Sequence, residues 1–350
     1  MYYSGLAQML ASEVETVLLT SGRGAMTNIA LLNLRHWVRW LYPIEVFLNV
    51  LFLLWKFRRW QMRRRIVFDV HGAANLAPIV TSRLLKIPLV WHFHETVDKF
   101  HFLVRLGKCI SRGVPHQYVV VAAKSASVFR LPEAILIPGA VDTAFWSSFG
   151  TGKDLFNSGK RLRILSVGNL NPLKGIDILL TALETVQLRW ELIIVGTELN
   201  TYSSYAQNLR EHAGRLIAAS QRVCFTGWQS REEVRDLMAV CDVFILPSRS
   251  EACPIALLEA MAAGCVCIAT DVGDVRDILG PADCGIVVPS ESSSALAEAI
   301  ERVAKIDTAE RQRMGRRGQE VIATRYSPEL QAERHLAIYK TLLSTSENLE

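Results

Sequence analysis

The sequence predicts an α/β protein built on parallel sheets and divided into two domains. Short apolar runs rich in β-branched and aromatic residues recur, as at residues 66–72, 163–167, 191–196, 241–247 and 266–269, and read as strands buried on both faces. Amphipathic helical stretches alternate with them, the pattern of a parallel sheet with crossover helices. The 350 residues, 50% hydrophobic and 21% charged, suffice for two ordinary cores. A polar stretch with Gly, Ser and Asn at residues 151–160 reads as the linker, so the expected domains are residues 1–150 and 151–325, followed by a terminal helix at residues 326–350.

In chain order, residues 2–12 read as an amphipathic helix and residues 14–22 as a strand. Residues 35–65, bounded by Arg35 and Arg65, combine four tryptophans with eight Lys or Arg. Within them residues 41–55 are nearly all apolar, but a spanning helix needs about 20 such residues. A basic segment bearing tryptophan suits the plane of an anionic membrane. A core helix with a solvated basic end has the same composition. Residues 66–72 form a strand ending at His71, a helix follows at residues 75–85, and residues 88–93 form the next strand. His94 and Glu95 then stand at a carboxyl strand end, where open α/β sheets bind ligands. His92 is assigned to the opposite face from His94. Residues 118–126 are another strand and the start of a helix.

In the second half, the strand at residues 163–167 leads through a turn at residues 168–173 to Lys174 and Gly175, which open a helix. A cation at a helix start opposes the helix dipole, which favours a bound anion there. Strands follow at residues 191–196 and 222–228, and Ser230 with Glu233 forms a capping box. The strand at residues 241–247 gives way to the polar turn Ser248, Arg249, Ser250, Glu251. Pro254 suits a first helical position. Ile255, Leu258, Met261 and Ala262 give that helix its apolar stripe, and Gly264 closes it. Glu251 and Glu259 flank the helix start, whose free N–H groups and positive dipole end suit a phosphate. Carboxylates on either side suit sugar hydroxyls. Both glutamates also fit a solvated loop and a solvated helix face. The last strand is at residues 284–289.

The net charge of +5 is uneven: residues 1–150 hold 17 basic and 8 acidic side chains, a balance of +9, leaving −4 for the rest. A basic first half points to an anionic membrane surface or an acidic acceptor. No nucleic-acid-binding motif is present. The seven cysteines include no C-x-x-C pair and read as reduced, mostly buried thiols of a cytoplasmic protein. No His/Cys spacing suits zinc, and no G-x-G-x-x-G follows a strand, so a dinucleotide oxidoreductase lacks its fingerprint.

The run E-A-C-P-I-A-L-L-E, Glu251 to Glu259, resembles the E-x7-E signature of family 4 glycosyltransferases (glycosyl transferases group 1). The flanking D-V-F-I-L-P-S and A-T-D-V-G-D, the run V-G-N-L-N-P-L-K-G and the segment I-P-G-A-V-D-T-A-F resemble that family as well. The resemblance is strong from about Leu162 onward and looser before it. It implies the GT-B fold, two facing Rossmann-like domains with a cleft between them, the terminal helix crossing back to the first. It also implies a retaining hexosyltransferase that moves a sugar from a nucleotide-sugar donor to a glycan or lipid-linked acceptor, with neither metal nor other cofactor. The expected location is the cytoplasm, with the segment Arg35 to Arg65 offering contact with the inner face of the cytoplasmic membrane. Glu251 would bind sugar hydroxyls near the reacting carbon and Glu259 the ribose. Lys174, with the helix N-terminus at Pro254, Ile255 and Ala256, would stabilise the leaving diphosphate beside Gly168 and Asn169. His94 would contact the sugar. Thr226, Gly227 and Trp228 would form the rim of the nucleobase site, although Trp228 equally suits a packing role.

Three departures stand out. Asn169 occupies the position of a family arginine. Gly139 and Ala140 replace Asn-Gly. The family's first strand and glycine-rich loop have no match, so the N-terminal domain is expected to lack its first strand. These departures sustain an alternative, a non-catalytic, N-terminally degenerate partner subunit. A sugar-nucleotide epimerase or a phosphorylase on the same architecture is a weaker third.

Overall fold

The structure is a computed structural model that describes residues 19–20, 29–30, 42–61, 66–95, 101–148, 161–281 and 283–347. The expected helix at residues 2–12, most of the strand at residues 14–22, the ends of the basic segment and the linker at residues 151–160 lie outside these residues, as does the question of a first strand. The chain forms two compact units, Met1–Gly139 with Pro328–Glu350, and Ala140–Ser327.

In the first unit β1 (Leu19–Thr20) and β2 (Ile29–Ala30) pair in parallel. The main sheet has four parallel strands in sequence order: β3 (Phe68–His71), β4 (Leu89–Phe93), β5 (His116–Val120) and β6 (Ile135–Leu136). Alternation sorts its two faces. On one face Phe68, Val70, Leu89, Trp91 and Phe93 pack with Leu53 and Phe57 of the helix Tyr42–Gln61 and Ile79 of the helix Leu76–Leu85. On the other, Val90, Val119 and Ile137 pack with Ile338 and Leu342 of the helix Pro328–Glu347. That second face also carries Asp69, His71, His92 and His94. The assignment of His92 opposite His94 is therefore corrected: residues two apart on a strand share a face, their rings are 6.0 Å apart and 5° from parallel, and it is Phe93 that points the other way.

The second unit is a six-stranded parallel sheet, with β7 (Leu162–Val167), β8 (Trp190–Val195) and β9 (Arg222–Gly227) to one side. β10 (Val243–Leu246), β11 (Cys267–Thr270) and β12 (Gly285–Val288) lie to the other, in the spatial order β12-β11-β10-β7-β8-β9. The chain runs outward from β7 through β8 and β9, then returns to begin again at β10 on the other flank of β7. That reversal makes the carboxyl ends of β7 and β10 the switch point, where doubly wound sheets open a crevice. Ile164, Ile194 and Ile245 face one core; Leu165, Ile193 and Phe244 face the other. Val141 and Trp146 are buried in this second core, and the Val141 amide donates to the Tyr326 carbonyl at 2.8 Å. The capping box forms as expected: Ser230 Oγ accepts from the Glu233 amide at 3.2 Å, and Glu233 accepts from the Ser230 amide at 2.8 Å.

The cysteines are less uniformly buried than expected. Cys265, Cys267 and Cys284 are buried, but Cys224, on the edge strand β9, and Cys109, on the outer face of the helix His101–Ser111, are exposed.

Candidate functional site

Two loops meet at the switch point. The first leaves β7 at Gly168, whose amide donates to the Val195 carbonyl at 2.8 Å. Asn169 Oδ1 accepts from the Thr197 amide at 3.4 Å, which leaves its Nδ2 group as the donating end. Asn171 caps the short 3-10 turn Pro172–Lys174. The Lys174 stem then folds back over Gly168: a Cβ on that glycine would stand 3.3 Å from the lysine Cδ. Gly175 (φ +62) adopts the left-handed region, and a Cβ there would lie 2.0 Å from the Pro247 carbonyl oxygen. Glycine thus lets the first loop press against the second, which begins at Ser248.

Glu251 is only 8% exposed, and its Oε1 accepts from Lys174 Nζ at 2.7 Å and from Ser248 Oγ at 2.7 Å. A charge-assisted hydrogen bond of this kind contributes about 1.5–3 kcal/mol. Around this pair the loop is pinned. Thr270 Oγ1 donates to the Ser248 carbonyl at 2.5 Å, and the Arg249 amide to the Leu173 carbonyl at 2.8 Å. The Arg249 guanidinium grips both oxygens of Asp177, at 2.8 and 2.7 Å, as well as Glu291 and the Pro172 carbonyl. Burial alone would raise the Asp177 pKa, but the Arg249 and Tyr205 hydrogen bonds bring it below the ordinary value. Gly273 (φ +55) closes the loop's far side, where a Cβ would meet the Glu251 carbonyl oxygen at 2.7 Å.

The helix Ile255–Ala262 follows, with Pro254 at its cap position and no side chain capping its amides. Pro254 is buried, while Ile255 and Ala256 are half-buried. Glu259 lies one turn in. Burial pushes its pKa up to about 7, against the opposing pull of Arg231. At the end of β9, Gly227 (φ +72) passes its carbonyl to the Gly196 amide at 2.9 Å, and Thr226 Oγ1 donates to that same carbonyl at 3.1 Å. Trp228 is 70% exposed, so the packing role for it falls away.

The sequence-predicted residues of the second unit are thus on three strand ends and one helix start, with Lys174 and Glu251 in contact. Sequence reasoning missed Ser248, Arg249 and Asp177, which hold Glu251 in place. Ser248 carried a faint signal: a hydroxyl three residues before a glutamate in a turn is a common local bonding pattern.

His94 belongs to the first unit, just past the end of β4. Its Nε2 lies 3.0 Å from His71 Nδ1. Burial and the neighbouring His92 push its pKa down to about 4, so it is neutral at pH 7. Glu95 accepts from the amides of Ala73 (3.3 Å) and His94 (3.1 Å), tying the ends of β3 and β4 together. Beneath them lies a group that spacing did not reveal: Asp69, His92, His335 and Tyr339, the last two from the helix Pro328–Glu347. Burial opposes the Asp69 charge, yet the adjacent His92 and His71 and the Tyr339 hydroxyl hold its pKa well below the ordinary value.

Comparisons with known proteins agree with this architecture. Residues 152–321 match the family model of the glycosyl transferases group 1. An alpha-D-kanosaminyltransferase of Streptomyces kanamyceticus is 26% identical, the match covering 83% of this chain and 82% of that protein. A phosphatidyl-myo-inositol mannosyltransferase of Mycobacterium leprae is 29% identical over 83% of this chain and 79% of its own length. Among solved structures, Anabaena HepE in complex with UDP-glucose superposes with a TM-score of 0.76 at 17% identity, covering 98% of this chain and 95% of that one. The fold is GT-B, α/β with parallel sheets in two Rossmann-like domains.

Proposed function

We propose that this chain, which belongs to the glycosyl transferases group 1 family, transfers a sugar from a nucleotide-sugar donor to a glycan or lipid-linked acceptor with retention of anomeric configuration. One observation carries the reading: the Lys174–Glu251 ion pair, 2.7 Å long, at the switch point of the second sheet. As the bond from the sugar to the diphosphate breaks, negative charge grows on the leaving oxygens. Lys174 has three N–H donors, of which Glu251 takes one, so others can meet phosphate oxygens without movement of the lysine. Charge already oriented before the reaction is what lowers such a barrier. The N-terminus of the helix Ile255–Ala262, which no side chain caps, adds positive dipole potential on the same side, although the Ile255 amide already donates to the Cys253 carbonyl.

The remaining roles follow from chemistry. The Glu251 carboxylate accepts hydrogen bonds from sugar hydroxyls. Glu259, with a pKa of about 7, accepts from or donates to the ribose hydroxyls. Asn169, standing where the family has arginine, offers phosphate a neutral donor, and Gly168 lets chain and ligand approach. Gly227 and Thr226 present backbone groups to the base, with exposed Trp228 beside them. His94, neutral at pH 7, is proposed to contact the sugar.

Calorimetric titration of the full chain with UDP, GDP and ADP, repeated on Glu259→Ala and Lys174→Ala, tests this reading. It expects one nucleotide to bind, more weakly in both variants. No binding of any nucleotide to folded wild-type protein contradicts it and favours the non-catalytic partner subunit.

A peripheral membrane contact is part of the proposal. No helix of the described residues is long and apolar enough to cross a membrane. Yet Ile44, Leu48, Leu51 and Trp55 form one exposed stripe on the helix Tyr42–Gln61, with Phe47 beside it and Arg58 exposed at its end. An apolar stripe with basic flanks suits an anionic lipid surface.

A further inference from the structure

Asp69, His92 and His335 come from β3, β4 and the helix Pro328–Glu347, and one donor atom from each lies within 4.8 Å of the others. His92 is 3% exposed and His335 2%. Asp69 Oδ1 and His92 Nε2 form an ion-pair contact at 2.8 Å, but its angle does not suit a hydrogen bond, and among the described residues neither buried atom makes a well-aimed one elsewhere. Two facing polar atoms buried with a poorly aimed contact are unfavourable compared with well-bonded ones. A cation between them would satisfy both.

The outer contacts of the same residues point the same way. His335 Nδ1 lies 2.7 Å from the Gln331 carbonyl oxygen, which can only accept, so Nδ1 holds the proton and Nε2 holds the lone pair. The Tyr339 hydroxyl donates to Asp69 Oδ2, which fixes the carboxylate and leaves Oδ1 turned to His92. An imidazole anchored through its second nitrogen and a carboxylate anchored through its second oxygen are the usual outer shell of a metal ligand set. His71 Nε2, 3.4 Å from Asp69 Oδ1, is the nearest further donor.

We propose that Asp69, His92 and His335 bind one divalent transition-metal ion of the zinc class, which fastens the helix Pro328–Glu347 to the sheet of the first unit. The donors are imidazole nitrogen and carboxylate oxygen, the set that zinc accepts in tetrahedral sites. The His92 and His335 rings are stacked 9° from parallel, so one of them turns about its soft terminal torsion to aim its lone pair. The site is structural and independent of the donor chemistry proposed for the second unit.

Untagged full-length protein is stripped with chelator, dialysed against zinc chloride and then buffer, and its metal measured by mass spectrometry. The expected result is about one zinc per chain, with a rise in Tm on loading that chelator reverses. Cobalt loaded in place of zinc should show visible bands of a nitrogen and oxygen ligand set without thiolate charge transfer, which separates this site from the buried cysteines. Tyr339→Phe keeps the ring and removes only the hydroxyl that orients Asp69, and should weaken zinc binding about 10–100-fold. His335→Gln should abolish it. Folded wild-type protein retaining less than about a tenth of an ion per chain overturns the proposal. So does a thiolate-type cobalt spectrum, or zinc affinity unchanged in both variants.

Discussion

The polar clusters of the two units are built on opposite terms. At the switch point of the second unit, the polar side chains meet their partners at hydrogen-bonding distance and angle: Ser248 and Lys174 bond buried Glu251, Arg249 bonds Asp177, and Thr270 bonds the Ser248 carbonyl. In the first unit Asp69 Oδ1 and His92 Nε2, both buried atoms, stand in ion-pair contact at 2.8 Å without a well-aimed hydrogen bond. The difference teaches how to read buried polarity. A closed network fixes a loop and presents a preset charge. An unclosed one marks a place where something else is to be held.

The contrast can be broken at several points. Lys174→Met removes the charge proposed to meet the leaving diphosphate, and kcat for transfer should fall about 10²–10³-fold, as when one preset donor to a developing charge is lost. Steady-state kinetics on the preferred donor would read it; an unchanged kcat with a raised KM would mean that Lys174 holds ground state and transition state equally and does not speed the chemical step. Arg249→Met takes the guanidinium away from Glu291 and from Asp177, which keeps the Tyr205 hydroxyl, while touching neither Lys174 nor Glu251. Unfolding in denaturant should show a loss of about 1.5–3 kcal/mol, the range for hydrogen bonds to charged groups. A smaller effect comes from Glu259. Its folded pKa, about 7, lies above the ordinary glutamate value of 4.5, so between the two the folded state keeps a proton that the unfolded state has lost. Its contribution is full below about 4.5 and declines as pH rises through about 7. Glu259→Gln should flatten that part of the stability profile; an unchanged slope would show the burial to be relieved by solvent. Smallest in stability is Trp55→Ala. At 70% exposure it should alter unfolding free energy by less than about 0.5 kcal/mol yet lower sedimentation with anionic vesicles. Equal sedimentation would remove the membrane contact.

Much of this was legible in the chain, and the rest was not for definite reasons. The strand, turn, helix and strand around Glu251 and Glu259 are set by local periodicity and by Pro254, and the structure follows them within a residue or two. The contact of Lys174 with Glu251 was not readable, because the two are 77 residues apart and meet only through the strand order that puts β10 beside β7. His335 and Tyr339 carry no local signal, standing as they do on a helix near the far end of the chain. Tyr339 reaches an aspartate 270 residues away, and no spacing rule reports a contact of that range. The misplacement of His92 was of another kind: the period of a strand gives its face directly, and the structure restores it.

The most direct test of the switch-point site compares two ligands on two proteins. Wild type and Lys174→Ala are titrated with the preferred nucleoside diphosphate and with the matching nucleoside. If Lys174 holds the diphosphate, the variant should lose about tenfold or more in affinity for the diphosphate, about 1.4 kcal/mol, and bind the nucleoside as the wild type does. Equal losses for both ligands, or no loss for either, would contradict the assignment of Lys174 and Glu251 to the donor site.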